Sequence, residues 1–325
     1  MEQWGTMNKP AIRSILVIHR EIEQLKNILE QQLEDVAVFY ASSAQEITQC
    51  LEQHQPEAVF ALNSRHFDND SIRNAAHYPS VKWFHVAGSG IDHIMPWQAQ
   101  DTVLSNGAGV LARYLAETVL GAMLAMNNNL HLYKKQQLKS TWQQHGFTPL
   151  CEQTLLIVGL GAIGEKVADN AKALGMKVMA TRRKDIPYKN VDELYNDKQL
   201  TDVIGQADMV SLHIPYSEEN HDLFDQQMLM RMKKGACLIN TARGGLVNEQ
   251  ALQQALTSGH LKAAFADVFK TEPLVEDSPL WQLENLFISP HMADSVHGFE
   301  QKYFEFFVNN AKLYNAGKDI KNQLK

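Results

Sequence analysis

The segment TLLIVGLGAIGEKVADNAKALGMKVMAT, residues 154–181, constrains the fold of this chain more than any other. A short β-rich run leads straight into a glycine-rich turn. Ile163, Val167, Ala171 and Leu174 then recur at helical spacing, and Gly175 separates them from a second β-rich run, KVMAT. Glycines at 159, 161 and 164 give the pattern G-x-G-x-x-G. In a strand–turn–helix unit the first glycine permits the tight turn, the second lets backbone approach a pyrophosphate, and the third lets the helix pack closely on the strand. The helix start offers free N–H groups and the positive end of the helix dipole to phosphate. Alone, the pattern is equally an ordinary turn. The strand before it and the helix and strand after it read as a dinucleotide-binding fingerprint. Such a unit opens a doubly wound sheet, and here it opens halfway along 325 residues, which points to a whole domain ahead of it.

Residues 14–106 have the texture of that earlier domain. SILVIHR, DVAVFYA, PEAVFAL, VKWFHVA and TVLSN read as strands. EIEQLKNILEQQL and AQEITQCLEQH read as helices, the first with Ile22, Leu25, Ile28, Leu29 and Leu33 on one face. A single long helix is expected from about Val110 to Leu138. Six further strands are expected at TLLIVG, KVMAT, MVSLHI, ACLINT, KAAFADV and NLFISP. GFEQKYFEFFVNNAKLYNAG reads as an amphipathic helix with Gly317 as its stop, returning to the first domain. The expected fold class is α/β: two Rossmann- or flavodoxin-like doubly wound parallel-sheet domains with a cleft between them. Residues 1–108 plus 296–325 would form a discontinuous substrate domain, and residues 109–295 an NAD(P)-binding domain.

Composition narrows the partners. Lys and Arg (30) are outnumbered by Asp and Glu (37), the net charge is −7, and no basic tract stands out, which argues against nucleic acid. Cys50, Cys151 and Cys237 lie far apart without a CxxC, so neither a disulfide framework nor a metal cluster is expected. No apolar run is long enough to span a membrane. MEQWGTMNKP lacks a charged-then-apolar leader, and the expected location is cytoplasmic.

The end of the second strand bears on the choice of cofactor. A carboxylate about 20 residues past the glycines normally binds the adenosine ribose hydroxyls of NAD. Here MATRRK places Arg182 there, with Arg183 and Lys184 behind it. Guanidinium groups hold a 2′-phosphate through paired donors, so NADP (NADPH) is expected as the preferred cofactor, with NAD as the second option. The bland alternative is a solvated charge run on a loop.

Three later stretches, NTARGGLVNEQAL, FADVFKTEPL and SPLWQLENLFISPHMADS, each contain or follow a predicted strand, and they carry Arg243, Glu272 and His291 just past the strand ends. Ligands of doubly wound sheets bind at that edge. Reduction of a 2-keto acid needs a hydride for the carbonyl carbon, a proton for its oxygen and a cation for the carboxylate. Arg243 suits the cation. His291 suits the proton donor, since imidazole titrates near neutrality. Glu272 suits the partner that orients the ring. Taken singly, the same residues also read as a strand cap, a turn acid and a packed histidine.

These stretches resemble the NAD(P)-binding domain of the D-isomer-specific 2-hydroxyacid dehydrogenases. NTARGG is similar to the segment bearing the substrate-binding arginine, DVFKTEPL to that bearing the glutamate, and PLWQLENLFISPH to that bearing the histidine. HVAGSGIDHI resembles the family's substrate loop, and SNGAGVLARYLAETVLGAML its interdomain helix. The resemblance implies catalytic roles for Arg243, Glu272 and His291, and substrate-carboxylate binding by the backbone of Ser89 and Gly90 together with Arg243. It implies cofactor contacts from Ala162, Ile163, His213, Pro215, Thr241, Ala242 and Asp267, beside Gly159, Gly161, Gly164, Arg182 and Arg183 read above from the glycine turn and the second strand. Asp267 would bond the nicotinamide carboxamide, and Thr241 would lie near its ribose. A homodimer built partly on the interdomain region is also implied. Two departures stand out. An acid is missing at Arg182, as in the glyoxylate/hydroxypyruvate reductase branch, and MADSV after His291 lacks the usual small residues ending in Thr. The expected function is NADPH-dependent reduction of a small 2-keto acid of the glyoxylate or hydroxypyruvate type. The alternatives are an NAD-dependent 3-phosphoglycerate dehydrogenase and a non-catalytic, NAD(P)-sensing corepressor-like protein.

Overall fold

The computed structural model describes residues 11–19, 26, 32, 33, 35–62, 67–97 and 101–324. It divides into two compact units, residues up to Leu111 together with Val296 onward, and Ala112–Ser295.

In the first unit the strands are β1 (Ser14–Ile18), β2 (Ala37–Ala41), β3 (Ala58–Ala61), β4 (Trp83–Val86) and β5 (Val103–Asn106). They pair in parallel in the order β2-β1-β3-β4-β5, the flavodoxin-like arrangement. A late strand, β13 (Gln323–Leu324), adds antiparallel to β5. Every residue of β3 and β4 is buried, as a strand covered on both faces requires. The helices Ala44–His54 and Asn69–Ala76 start at Ser43 and Asp68, whose side chains accept from the N–H groups of Glu46 and Ser71.

The helix Phe299–Asn315 completes this unit from the far end of the chain. Phe304 and Phe307 stand 4.9 and 5.0 Å from the Phe60 ring, and Phe307 and Tyr314 stand 4.7 and 5.5 Å from Trp83. Those separations are typical of packed aromatic pairs. His85 lies inside the same cluster. Its Nδ1 is 2.7 Å from the Ser105 hydroxyl, which also accepts from Trp83 Nε1 at 2.8 Å. Burial pushes the His85 imidazole down to about 3.

The second unit contains β6 (Thr154–Val158), β7 (Lys177–Thr181), β8 (Glu193–Tyr195), β9 (Met209–Leu212), β10 (Cys237–Asn240), β11 (Ala263–Ala266) and β12 (Leu286–Ile288). All pair in parallel, in the order β8-β7-β6-β9-β10-β11-β12. The chain runs outward from β6 through β7 and β8, then returns to the other side of β6 with β9. The point of reversal, between β6 and β9, is where such sheets take ligands.

The eleven strands read from sequence are present, while β8 and β13 are additions of three and two residues. The long helix expected over 110–138 is instead two, Ala112–Asn127 and Leu130–Leu138. Asn129 takes a left-handed backbone, φ 58, between them. The asparagine side chains bond elsewhere: Asn127 and Asn129 donate to the carbonyls of Thr148 and Gly146, and Asn127 accepts from Gln153. Such competition for polar groups is why asparagine is a poor helix interior. The first expected helix, with Ile22, Leu25, Ile28 and Leu29, lies outside the described residues. Cys50, Cys151 and Cys237 are free thiols, no cluster of metal-ligating side chains occurs among the described residues, and no described helix is long and apolar enough to cross a membrane.

Candidate active site

Strand register builds the site. The last residues of all seven strands of the second sheet, Tyr195, Thr181, Val158, Leu212, Asn240, Ala266 and Ile288, are mutual partners across the sheet. Nearly every candidate of this unit follows that row closely: Arg182, the glycine turn, His213, Thr241 to Arg243, Asp267, and His291. Neighbouring strands lie about 4.8 Å apart, so the loops leaving β10, β11 and β12 start within roughly 10 Å of one another.

At the β6 end the glycines divide their tasks by geometry. Gly159 has φ +98, a conformation that disfavours any side chain, and a Cβ there would strike Ile214 and the His213 carbonyl. A Cβ on Gly164 would lie 2.5 Å from the Gly159 carbonyl oxygen, so the helix Ala162–Ala173 sits directly on the turn. Gly161 has no atom within 4 Å of its Cβ position, and no side chain caps the helix that it starts. Ala162 is exposed and Ile163 half-buried beside this open backbone. The arrangement fits a pyrophosphate: space in front of Gly161 and N–H groups at an uncapped helix start.

His213 backs the turn. Its N–H bonds the Val158 carbonyl at 2.8 Å, its ring meets the Ser211 hydroxyl at 2.8 Å, and desolvation lowers its pKa to about 4. Pro215 is exposed two residues on. Arg182 is not a free cation. Its guanidinium donates to Glu165 at 3.2 Å and to the Ile186 carbonyl at 3.1 Å. Arg183 and Lys184 are exposed.

At the β10–β12 end, backbone packing brings the chemistry together. Asn240 accepts from the Ala242 N–H and donates to the Arg243 carbonyl, which shapes the arginine turn. Arg243, half-buried, donates to the Ala242 carbonyl at 2.7 Å. A Cβ on Gly244 would fall 1.9 Å from the Phe269 carbonyl carbon, so the backbone after Arg243 lies against the backbone leading to Glu272. One Glu272 oxygen accepts from the Phe269 N–H at 3.0 Å, and the other is 2.7 Å from His291 Nδ1. A carboxylate only accepts, so Nδ1 carries the hydrogen and Nε2 is left to exchange a proton. Thr241 is buried, and its hydroxyl has no hydrogen-bond partner among the described residues.

His291 has φ +54, an uncommon left-handed conformation for a residue with a side chain. Asp267 holds it there. The Asp267 backbone carbonyl accepts from the His291 N–H at 2.8 Å, and its carboxylate accepts from Ser289 Oγ and from the N–H groups of Met292 and Ala293 at 2.8 and 3.0 Å. Asp267 is 1% exposed and therefore acts as the post of the histidine turn. Asn240, Ser289 and Asp294 were not singled out from sequence. Asp294 is half-buried, and desolvation raises its pKa while His291 and Arg243 oppose the rise. Its one signal is the unusual MADSV. In the first unit, Ser89 is exposed and Gly90 half-buried in the loop after β4, and Asn106, which ends β5, donates to the Ser89 carbonyl at 2.8 Å.

Residues 120–293 match the D-isomer specific 2-hydroxyacid dehydrogenase NAD binding domain. The chain belongs to this family. It is 33% identical over 263 residues to an (S)-sulfolactate dehydrogenase of Chromohalobacter salexigens, an alignment covering 78% of this chain and 83% of that one. It is 32% identical over 252 residues to a D-3-phosphoglycerate dehydrogenase of Mycobacterium bovis, covering 74% of this chain and 46% of that one. It thus spans about half the length of that relative. A glyoxylate reductase of Korarchaeum cryptofilum is 37% identical over 168 residues, 51% of this chain and 50% of that one. Among solved structures, a D-isomer specific 2-hydroxyacid dehydrogenase family protein from Aeromonas salmonicida superposes with a TM-score of 0.84 at 28% identity, covering 97% of this chain and 99% of that one. Both the α/β class and the family expected from sequence are thereby established.

Proposed function

We propose that this chain is an NADPH-preferring reductase that converts a small 2-keto acid, of the glyoxylate or hydroxypyruvate type, into the D-2-hydroxy acid. One observation carries the reading: the His291–Glu272 pair stands on the same strand-end row as Arg243 and the glycine turn. A reduced nicotinamide, when bound, would supply the hydride for the keto carbon. His291 Nε2 gives a proton to the keto oxygen, and Glu272 keeps the ring oriented and offsets the charge of its protonated form. Arg243 holds the substrate carboxylate through paired donors. Ser89 and Gly90 join it by their family resemblance. Thr241 has an unused hydroxyl for the cofactor, and Asp267 keeps His291 in place.

Arg182 and Arg183 support the NADPH preference. Arg182 already lies beside the glycine-turn helix through Glu165, and a 2′-phosphate would compete with that carboxylate for the same guanidinium. We place the enzyme in the cytoplasm as a homodimer. The apolar side chains Leu138 and Trp142, 77% and 96% exposed, suit cover by a second copy. The likeness to phosphoglycerate dehydrogenases favours one second reading, NAD-dependent oxidation of 3-phosphoglycerate.

Initial rates test the two. NADPH and NADH are compared against glyoxylate, hydroxypyruvate, pyruvate and 2-ketoisocaproate, and NAD against 3-phosphoglycerate. Fastest turnover is expected with NADPH and glyoxylate or hydroxypyruvate. A strong NADH preference removes the role given to Arg182, and efficient 3-phosphoglycerate oxidation replaces the substrate.

A further inference from the structure

We infer that Glu165 sets how strictly the chain distinguishes NADPH from NADH: its carboxylate occupies the Arg182 guanidinium, so NADH would bind with the pair closed and NADPH only by parting it. The inference rests on the reading of Arg182 as the group that meets a 2′-phosphate, and it makes Glu165 the counterweight to that cation.

Just past β7, where NAD-binding sheets of this type carry an acid, this chain has Arg182. The fold returns an acid to the same place from another element. Glu165 lies in the first turn of the helix Ala162–Ala173, and its Oε1 accepts from Arg182 Nη2 at 3.2 Å. Both side chains are less than one-third exposed, at 28% for Glu165 and 23% for Arg182. Arg182 Nη1 donates to the Ile186 carbonyl at 3.1 Å, so both arms of the guanidinium are engaged.

The loop behind Arg182 is fastened to the same helix independently. Asp169, one turn beyond Glu165, accepts from Tyr188 Oη at 2.8 Å and from Asn190 Nδ2 at 2.7 Å. Removing the Glu165 charge therefore frees a guanidinium without unhooking the loop that follows it.

Two costs fall on NADPH and not on NADH. A 2′-phosphate that takes Arg182 displaces a charge-assisted hydrogen bond, and for a partly exposed pair that is worth about tenfold in an equilibrium. It also leaves the Glu165 carboxylate uncompensated beside an added anion, at the helix end that would receive the pyrophosphate. NADH asks for neither. Its ribose hydroxyls can donate to Glu165 as they do to the usual strand-end acid, while Arg182 keeps the charge balanced. Arg183 and Lys184, both exposed, remain to draw a phosphate.

Binding, read without turnover, tests the balance. Dissociation constants for NADPH and NADH are measured by calorimetry on the wild type, Glu165→Gln and Glu165→Ala, with Asp169→Asn as the control for a loosened loop. The wild type is expected to bind both, NADPH the more tightly. Both Glu165 variants are expected to move the ratio of the two constants about tenfold toward NADPH, and Asp169→Asn to leave it within about twofold. A ratio that stays put in both Glu165 variants, or that moves as far in Asp169→Asn, overturns the inference. A wild type that binds NADH more tightly ends the NADPH preference proposed above, and the shift in ratio still decides the part of Glu165. A wild type that binds neither dinucleotide overturns both.

Discussion

Each unit holds an imidazole through Nδ1, and the two settings differ in partner and exposure. His85, in the first unit, meets a neutral hydroxyl, Ser105, at 2.7 Å, and is wholly buried among Phe60, Trp83 and Phe307. His291, in the second, meets a carboxylate, Glu272, also at 2.7 Å, with 36% of its side chain exposed. The bond length is the same. Burial without a charged partner excludes the proton from His85. His291 instead keeps an exposed ring with a carboxylate at Nδ1. The difference separates a histidine that packs from the one proposed above to give the proton.

The largest effect expected from this contrast is on rate. His291→Asn should lower keto-acid turnover by about 10²–10⁴-fold, the usual contribution of a positioned acid, with little change in melting temperature. Retained turnover would place both histidines in the packing class. Next comes the post beneath His291. In Asp267→Asn the amide nitrogen cannot accept, so one charged acceptor of the Met292 and Ala293 N–H groups is lost. Thermal unfolding should register about 1.5–3 kcal/mol of destabilisation, together with a slower reaction.

Acid stability probes the other histidine. The folded-state pKa of His85, about 3, lies below its ordinary 6.5, so the unfolded chain binds the extra proton first. Its contribution is full above about pH 6.5 and declines as pH falls toward 3. Urea unfolding at pH 7 and pH 5 should differ by on the order of 2 kcal/mol from this group, and His85→Phe should remove that increment. A difference of equal size in the variant would sever the link between burial and neutrality drawn here. The smallest change is expected from Glu272→Gln, which keeps an acceptor for Nδ1 and removes the charge. A loss of about tenfold in kcat, near 1.4 kcal/mol, would measure what the carboxylate adds beyond orientation.

Sequence alone disclosed what depends on local pattern. Parallel strands buried on both faces appear as continuous apolar runs, so SILVI, AVFA and TLLIV were readable, and the glycine turn was readable from its flanks. Arg243, Glu272 and His291 stood out because each falls just past a predicted strand. What could not be read depends on partners distant along the chain. The helix break at Asn128 and Asn129 follows from bonds to the 146–148 loop. The engagement of Arg182 follows from Glu165, 17 residues earlier on the adjoining helix. Asp267 was expected to face the cofactor, and its bonds to the turn at 291–293 show only in the folded chain. β8 and β13 are too short to leave a periodic trace.

The return of Phe299–Asn315 to the first unit has a consequence for biosynthesis. A ribosome extends the chain at about 5–20 residues per second, and Ala112–Ser295 leaves it ahead of that helix. Phe60, Trp83 and His85, translated far earlier, wait without their aromatic lid until Phe304, Phe307 and Tyr314 leave the tunnel. The domain born first is thus finished last, and until then an apolar face that the finished fold buries stays open.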